Sequence, residues 1–219
     1  MHPMITLYVA GIAHTDPLGP ARLRKWLQSF RNTLPSEPSF VAVEWDERMF
    51  NLVKTQRDRF LRLASERWPT SPPEVVRFLV DAVAYDGDTH QATFPTVPTL
   101  WLDQGREADH SEIAGFAELR LKFYEAITSD AAQLSILDLD QMSKAAWARI
   151  QPRPDGPNAR PDIFARRLFP ELQGNQPAWG IAIMGANHVS ESAGSAVDLL
   201  VHNGVDCRVT VLNPRFGSA

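Results

Sequence analysis

Hydrophobic residues along the chain form two patterns: short continuous apolar runs, and longer segments with helical spacing. Continuous runs are typical of strands buried on both faces of a parallel sheet. They occur at residues 5–10, 40–44, 99–103 and 181–184, and an alternating run follows at residues 205–212. The pattern predicts an α/β fold with a mixed, mainly parallel central sheet and helices on both faces.

Segments with helical spacing separate these runs. In the first segment, Leu23, Trp26, Leu27 and Phe30 recur at intervals of three or four residues, which predicts a helix over residues 18–30. We predict further helices at residues 49–68, 74–85, 111–127, 162–172 and 193–203. Residues 86–96 are polar and residues 151–161 hold four prolines, so both are predicted to be loops.

The same short motif stands near both ends of the chain. An apolar run is followed by Gly, two residues and His, first at Gly11 to His14 and again at Gly185 to His188. Each copy lies in a β-α-β unit, at residues 1–48 and 177–213, and a largely helical insertion covers residues 49–172. We expect one α/β domain over residues 1–219, in which a glycine turn ends each strand and positions the histidine that follows.

Composition narrows the class of protein. The 219 residues fit one sizeable domain, and the net charge of -4 argues against nucleic acid as the main partner. The single cysteine, Cys207, cannot form an internal disulfide and is interpreted as structural. The first apolar run is too short to span a membrane. We therefore expect a cytoplasmic protein that is not membrane-bound.

The two histidines and one acid form the candidate site. Glu44 ends the second predicted strand, and the carboxyl ends of parallel strands meet at one edge, where α/β sheets place their ligands. His14, Glu44 and His188 together resemble a ligand set for a divalent metal, which lowers the pKa of a bound water. Without a metal, one histidine would be the general base, Glu44 would orient or replace it, and an arginine would stabilise the oxyanion.

Each candidate residue also has a structural interpretation. A histidine after a strand is more often a loop residue or a hydrogen-bonded structural residue, but the repeated motif favours function for His14 and His188. Glu44 has the alternative of a helix-capping acid. Residues 86–90 have the spacing of a metal loop, although a solvated turn is favoured. The sequence contains no P-loop, dinucleotide fingerprint, serine-hydrolase elbow, H-E-x-x-H or paired C-x-x-C motif.

Four motifs in this order resemble those of the TraB/PrgY/GumN and TIKI superfamily, which is similar in turn to ChaN-type and erythromycin-esterase-type proteins. They are the two Gly-x-x-His motifs, Val43-Glu44, and the segment that begins Arg160-Pro161-Asp162. Pro161 stands where that family usually has Asn, and no acid follows Gly11 directly, which disfavours a macrolide esterase.

The resemblance implies an α/β fold with its site at the strand ends and, from TIKI-type members, a metal-dependent protease. It implies metal-binding or catalytic roles for His14, Glu44 and His188 and makes Arg160 a catalytic-site arginine, with Arg48 as a weaker candidate. We thus expect a hydrolase that cleaves a peptide, amide or ester bond of a peptide or small-molecule substrate. The alternatives are a ChaN-like module that binds haem or a small anion, and an interaction protein without chemistry. The oligomeric state stays open, with a homodimer as one alternative.

Overall fold

A computed structural model describes residues 5–12, 19–48, 85–103, 160–173, 179–189 and 194–212, with a few further residues between 50 and 69. Five strands have defined bounds: β1 (Thr6–Ile12), β2 (Val41–Val43), β3 (Thr99–Trp101), β4 (Trp179–Gly185) and β5 (Asp206–Val211). Four helices have defined bounds: α1 (Gly19–Thr33), α2 (Tyr85–Thr93), α3 (Arg160–Leu172) and α4 (Ala196–His202). Described residues from 47 to 66 are helical as well, as the sequence predicts.

The strands form one sheet in the order β3-β2-β4-β1-β5, and every pairing in it is parallel. The α/β prediction is therefore confirmed. The two strands that carry the Gly-x-x-His motifs are direct neighbours, with Ile12 of β1 opposite Gly185 of β4. β4 also separates β1 from β2, so the end of β2 lies beside β4.

Helices cover both faces of the sheet because successive strand residues point to opposite sides. On one face, Leu23 and Leu27 of α1 pack on Ile181 and Ile183 of β4, and α2 lies beside α1. On the other face, α3 and α4 pack on Leu7, Val9, Ala182 and Met184. Almost all of these core side chains are fully buried.

The connections after β1 and β4 leave these neighbouring strands for opposite faces of the sheet. The chain after β1 continues into α1 on one face, and the chain after β4 continues into α4 on the other. In open α/β sheets, ligands usually bind at the carboxyl edge where two neighbouring connections diverge in this way. Here that position lies between the ends of the two Gly-x-x-His strands.

The predicted glycine turn is wrong at Gly11 and confirmed at Gly185. β1 continues through Gly11 to Ile12, whereas β4 ends at Gly185, whose φ of -54° is ordinary, and a short turn that carries His188 follows directly. Gly11 is required for packing instead, because a Cβ there would collide with Cγ2 of Val189. Positive φ angles occur among the described glycines at Gly194 and Gly204, where Gly204 follows α4 as the predicted terminal glycine.

The predicted loop at residues 86–96 is also wrong, because residues 85–93 form α2. Tertiary contacts stabilise this helix without a strong amphipathic pattern. Gly87 lies against the Phe50 ring, where a Cβ would collide with the aromatic carbons. Lys54 Nζ lies 3.3 Å from Asp88 Oδ1.

Several predictions fall outside the described residues: the position of His14, most of the helix at 74–85, the helix at 111–127 and most of the loop at 151–161. Among the residues that are described, no helix is long and apolar enough to cross a membrane.

Candidate functional site

A buried carboxylate–imidazole pair lies at the carboxyl edge of the sheet. Glu44 Oε1 is 3.2 Å from His188 Nε2, and the two side chains are 7% and 9% exposed. Burying a carboxylate is costly unless it is paired and hydrogen-bonded, so this contact makes the position of Glu44 tolerable. Two of the predicted site residues, far apart in the sequence, are therefore brought together.

The end of β2 directs the Glu44 side chain toward β4. The Glu44 N–H donates to the Ile183 carbonyl at 3.2 Å, and the Trp45 N–H turns back to the Val43 carbonyl at 2.9 Å. This turn diverts the backbone from the ladder at Glu44. In a continued parallel ladder, the Gly185 N–H would donate to the Glu44 backbone carbonyl. It donates to Glu44 Oε2 instead, at 2.5 Å, so the carboxylate takes the next ladder position.

His188 is held by a short 3₁₀ helix, Ala186–His188, that directly follows β4. The Val189 N–H closes this turn by donating to the Ala186 carbonyl at 3.3 Å. The Phe164 ring of α3 meets the imidazole edge-on, with ring centroids 5.3 Å apart. Phe164 is itself fully buried, so it forms an apolar wall beside the imidazole.

The contact with Glu44 distinguishes the two imidazole nitrogens. An ionised carboxylate only accepts hydrogen bonds, so Nε2 must be the donor in this contact. In neutral His188, the lone pair then resides on Nδ1. Nδ1 is accordingly the nitrogen whose chemistry suits proton abstraction or metal binding, while Glu44 stabilises the imidazolium form.

The donor set fits a metal only in part. A metal-binding histidine commonly donates its other N–H to a carboxylate, which matches the His188–Glu44 contact. Glu44 Oε2 already accepts a hydrogen bond from the Gly185 N–H and Oε1 already contacts His188, which favours an orienting role over direct ligation. Within the described ranges, no group of three His, Cys, Asp or Glu residues is placed to hold a metal ion. His14 lies outside those ranges, so its predicted role stays a prediction.

The two candidate arginines and one aromatic residue lie on helices around this edge of the sheet or on its surface. Arg160 is the first residue of α3, one helical turn before Phe164, and the role of its side chain stays a prediction. Arg48 is exposed. Phe164 was not anticipated as part of the site, although its place on the apolar face of α3 was an available signal. Arg167, also on α3, donates from Nη1 to the Trp101 carbonyl of β3 at 2.9 Å.

Three further described residues, His90, His202 and Cys207, lie on α2, α4 and β5, and none of these elements carries the buried carboxylate–imidazole pair. His90 is fully buried, and its Nε2 lies 2.8 Å from Thr99 Oγ1, so the favoured solvated turn is wrong. His202 is an exposed residue on α4 that pairs with Asp198 at 3.1 Å. Burial and the nearby Asp206 charge raise the pKa of Cys207 to about 12, which agrees with a structural role.

No protein-family model matches the chain, and no curated protein or solved structure matches it. The chemistry of the site must therefore be inferred from its own geometry.

Proposed function

We propose that this protein is a hydrolase of the TraB/TIKI-like type that cleaves a peptide, amide or ester bond. The observation that carries the proposal is the buried Glu44–His188 contact at the carboxyl edge of the sheet. An oriented imidazole beside a topological switch point has both the chemistry and the location that a hydrolytic site needs.

In this proposal, His188 takes a proton from the attacking water through Nδ1. Glu44 holds the imidazole in place and stabilises the positive charge that develops on it. Glu44 is itself held by the Gly185 N–H, so the pair is attached to the end of β4 and cannot easily rotate. Phe164 excludes water from one side of the imidazole, which strengthens its interaction with the carboxylate.

His14 and Arg160 complete the proposed site. His14 follows β1, the strand next to β4, and Arg160 begins the helix that carries Phe164. If a divalent metal were held by His14 and by Nδ1 of His188, Nδ1 could no longer accept the proton, and the metal would activate the water as a Lewis acid in place of the imidazole. Arg160 would stabilise the oxyanion that forms on the substrate carbonyl.

The test measures bound metal and hydrolysis in protein purified without a histidine tag. Metal content is determined by mass spectrometry, and hydrolysis is screened with p-nitrophenyl esters and fluorogenic peptides. We expect His188→Ala to lower hydrolysis by roughly 10²–10⁴-fold, the usual contribution of a general base, and His14→Ala to lower both bound metal and hydrolysis. His202→Ala is the matched control, because this histidine is exposed on α4.

The proposal fails if His14→Ala and His188→Ala both keep wild-type metal content and wild-type hydrolysis. A haem titration separates the ChaN-like alternative from hydrolysis. A Soret band that is lost in His188→Ala, in a protein that hydrolyses none of the substrates, would favour haem binding.

A further inference from the structure

The two edges of the sheet differ in length and exposure. β3 forms one edge; it is three residues long, and all three are half-buried. β5 forms the other edge; it is six residues long, and its central residues 208–210 are exposed. Short edge strands resist pairing with another chain, whereas long exposed ones invite it.

A side chain of the same molecule covers the β3 edge. The Leu102 N–H and the Pro98 carbonyl bond to β2, so the Trp101 carbonyl points away from the sheet. Arg167 Nη1 donates to this carbonyl at 2.9 Å. The outward hydrogen-bonding position at the end of β3 is thus already filled.

Among the described residues, no side chain covers the β5 edge in this way. The Leu212 N–H donates to the Gly11 carbonyl at 2.9 Å, which fixes the alternation of inward and outward groups along the strand. The N–H and C=O groups of Cys207, Val209 and Val211 therefore point outward. In the part of the chain that the structure describes, no hydrogen bond reaches these outward groups.

The charged side chains of β5 contact other residues of the same molecule. Arg208 lies over the Tyr8 ring at 5.7 Å, and its Nε is 3.4 Å from Asp206. Asp206 in turn accepts a hydrogen bond from Thr6. Charged residues usually protect an edge strand, but both of these side chains lie on the α1 face of the sheet, where Arg208 remains 61% exposed. Val209, which is 37% exposed, is left at the middle of the edge.

We propose that β5 is a dimerisation edge, at which two copies of this chain pair their β5 strands antiparallel around Val209. The pairing would join two five-stranded sheets into one continuous sheet. A two-fold axis suits this edge because the outward groups of one strand then meet the outward groups of the other.

Charge and overlap select the register. Pairing around Arg208 would place two guanidinium groups opposite each other, which is destabilising. Pairing around Cys207 would overlap little more than residues 205–209. Pairing around Val209 overlaps residues 206–212, puts no like charges opposite each other, and satisfies the outward groups of the whole strand.

Sedimentation velocity of the full chain over about a hundredfold range of concentration tests the proposal. Wild type is expected to reach twice its 24.5 kDa mass. Val209→Pro removes only an outward N–H, so it should give a folded monomer by circular dichroism. Val209→Lys, which brings two charges together at the axis, should also be monomeric. Ile163→Lys adds the same charge at an exposed apolar residue of α3 and should still dimerise.

A disulfide test fixes the register. The test uses a Cys207→Ser chain that also carries both Arg208→Cys and Thr210→Cys. Two such chains should cross-link, because residue 208 of one strand and residue 210 of the other would form a non-hydrogen-bonded antiparallel pair, in which the Cα atoms are close. Arg208→Cys alone should not cross-link. A wild type that stays monomeric throughout, or a dimer that survives Val209→Lys, overturns the interface. A spontaneous Cys207–Cys207 cross-link in wild type overturns the Val209 register.

Discussion

The Glu44 carboxylate accepts a hydrogen bond from the Gly185 backbone N–H at 2.5 Å, in the position where a sheet carbonyl would otherwise stand. The same side chain holds His188 through its other oxygen. Glu44 therefore ends the ladder between β2 and β4 and also positions the imidazole. Removing the Glu44 carboxylate should therefore lower both the stability of the fold and the activity of the site. A residue with only one of these roles would change only the stability or only the activity.

Glu44→Ala should destabilise the fold more than Glu44→Gln. Alanine leaves the Gly185 N–H and His188 without this acceptor, and breaking such a buried pair costs about 3–5 kcal/mol. Glutamine keeps an acceptor for Gly185 and should cost less. The free energy of unfolding from urea titration measures both. Glu37→Ala is the control, because Glu37 is an exposed acid whose carboxylate accepts a hydrogen bond from Thr96 Oγ1. Equal losses for the two Glu44 variants would contradict the ladder role.

Gly11→Ala should destabilise the protein by about 1–3 kcal/mol, the range seen for overpacked cores. The reason is the collision between the new Cβ and Val189. Val189→Ala should cost stability by itself but recover part of the loss when combined with Gly11→Ala. The four unfolding free energies form a double-mutant cycle. Additive losses would show that the two residues do not constrain each other.

His90→Ala should lower stability without changing hydrolysis or metal content. His90 is fully buried and contacts Thr99 across the junction of α2 and β3, so truncation leaves a cavity and a polar group without its contact. We expect a loss of about 2–4 kcal/mol in urea unfolding. Kinetics at a temperature where the variant is folded separate this effect from catalysis. A specific loss of turnover in the folded variant would assign His90 to the site.

Cys207 should react slowly with thiol reagents in the folded protein. Its pKa is raised from 9.0 to about 12 by burial and by Asp206, so the thiolate is scarce at neutral pH. Since the folded pKa is the higher one, the neutral thiol contributes to stability below pH 9, and this contribution is lost as the pH rises toward about 12. Ellman's reagent at pH 8, with the urea-unfolded chain as reference, measures the difference. Equal rates in both states would contradict the raised pKa.

Sequence patterns predicted the strands well because a continuous apolar run has few alternatives to burial in a parallel sheet. All five predicted strands are present, with bounds that shift by at most two residues at either end. The same logic failed for α2, whose sequence is polar. Its helical state depends on buried contacts such as that of His90 with Thr99 and on the Phe50 ring beside Gly87. Such contacts are made with residues outside the helix and leave no local periodicity in its sequence.

The repeated motif and the acid after the second strand were visible in the sequence, and these identified His188 and Glu44 as candidates. The sequence by itself determined which residues are apolar, where they recur, and hence an α/β fold with polar residues at the strand ends. Only the tertiary structure decided that β4 lies between β1 and β2. Strand order is set by packing between distant segments, and it is this order that brings the Glu44 carboxylate to Gly185 and His188.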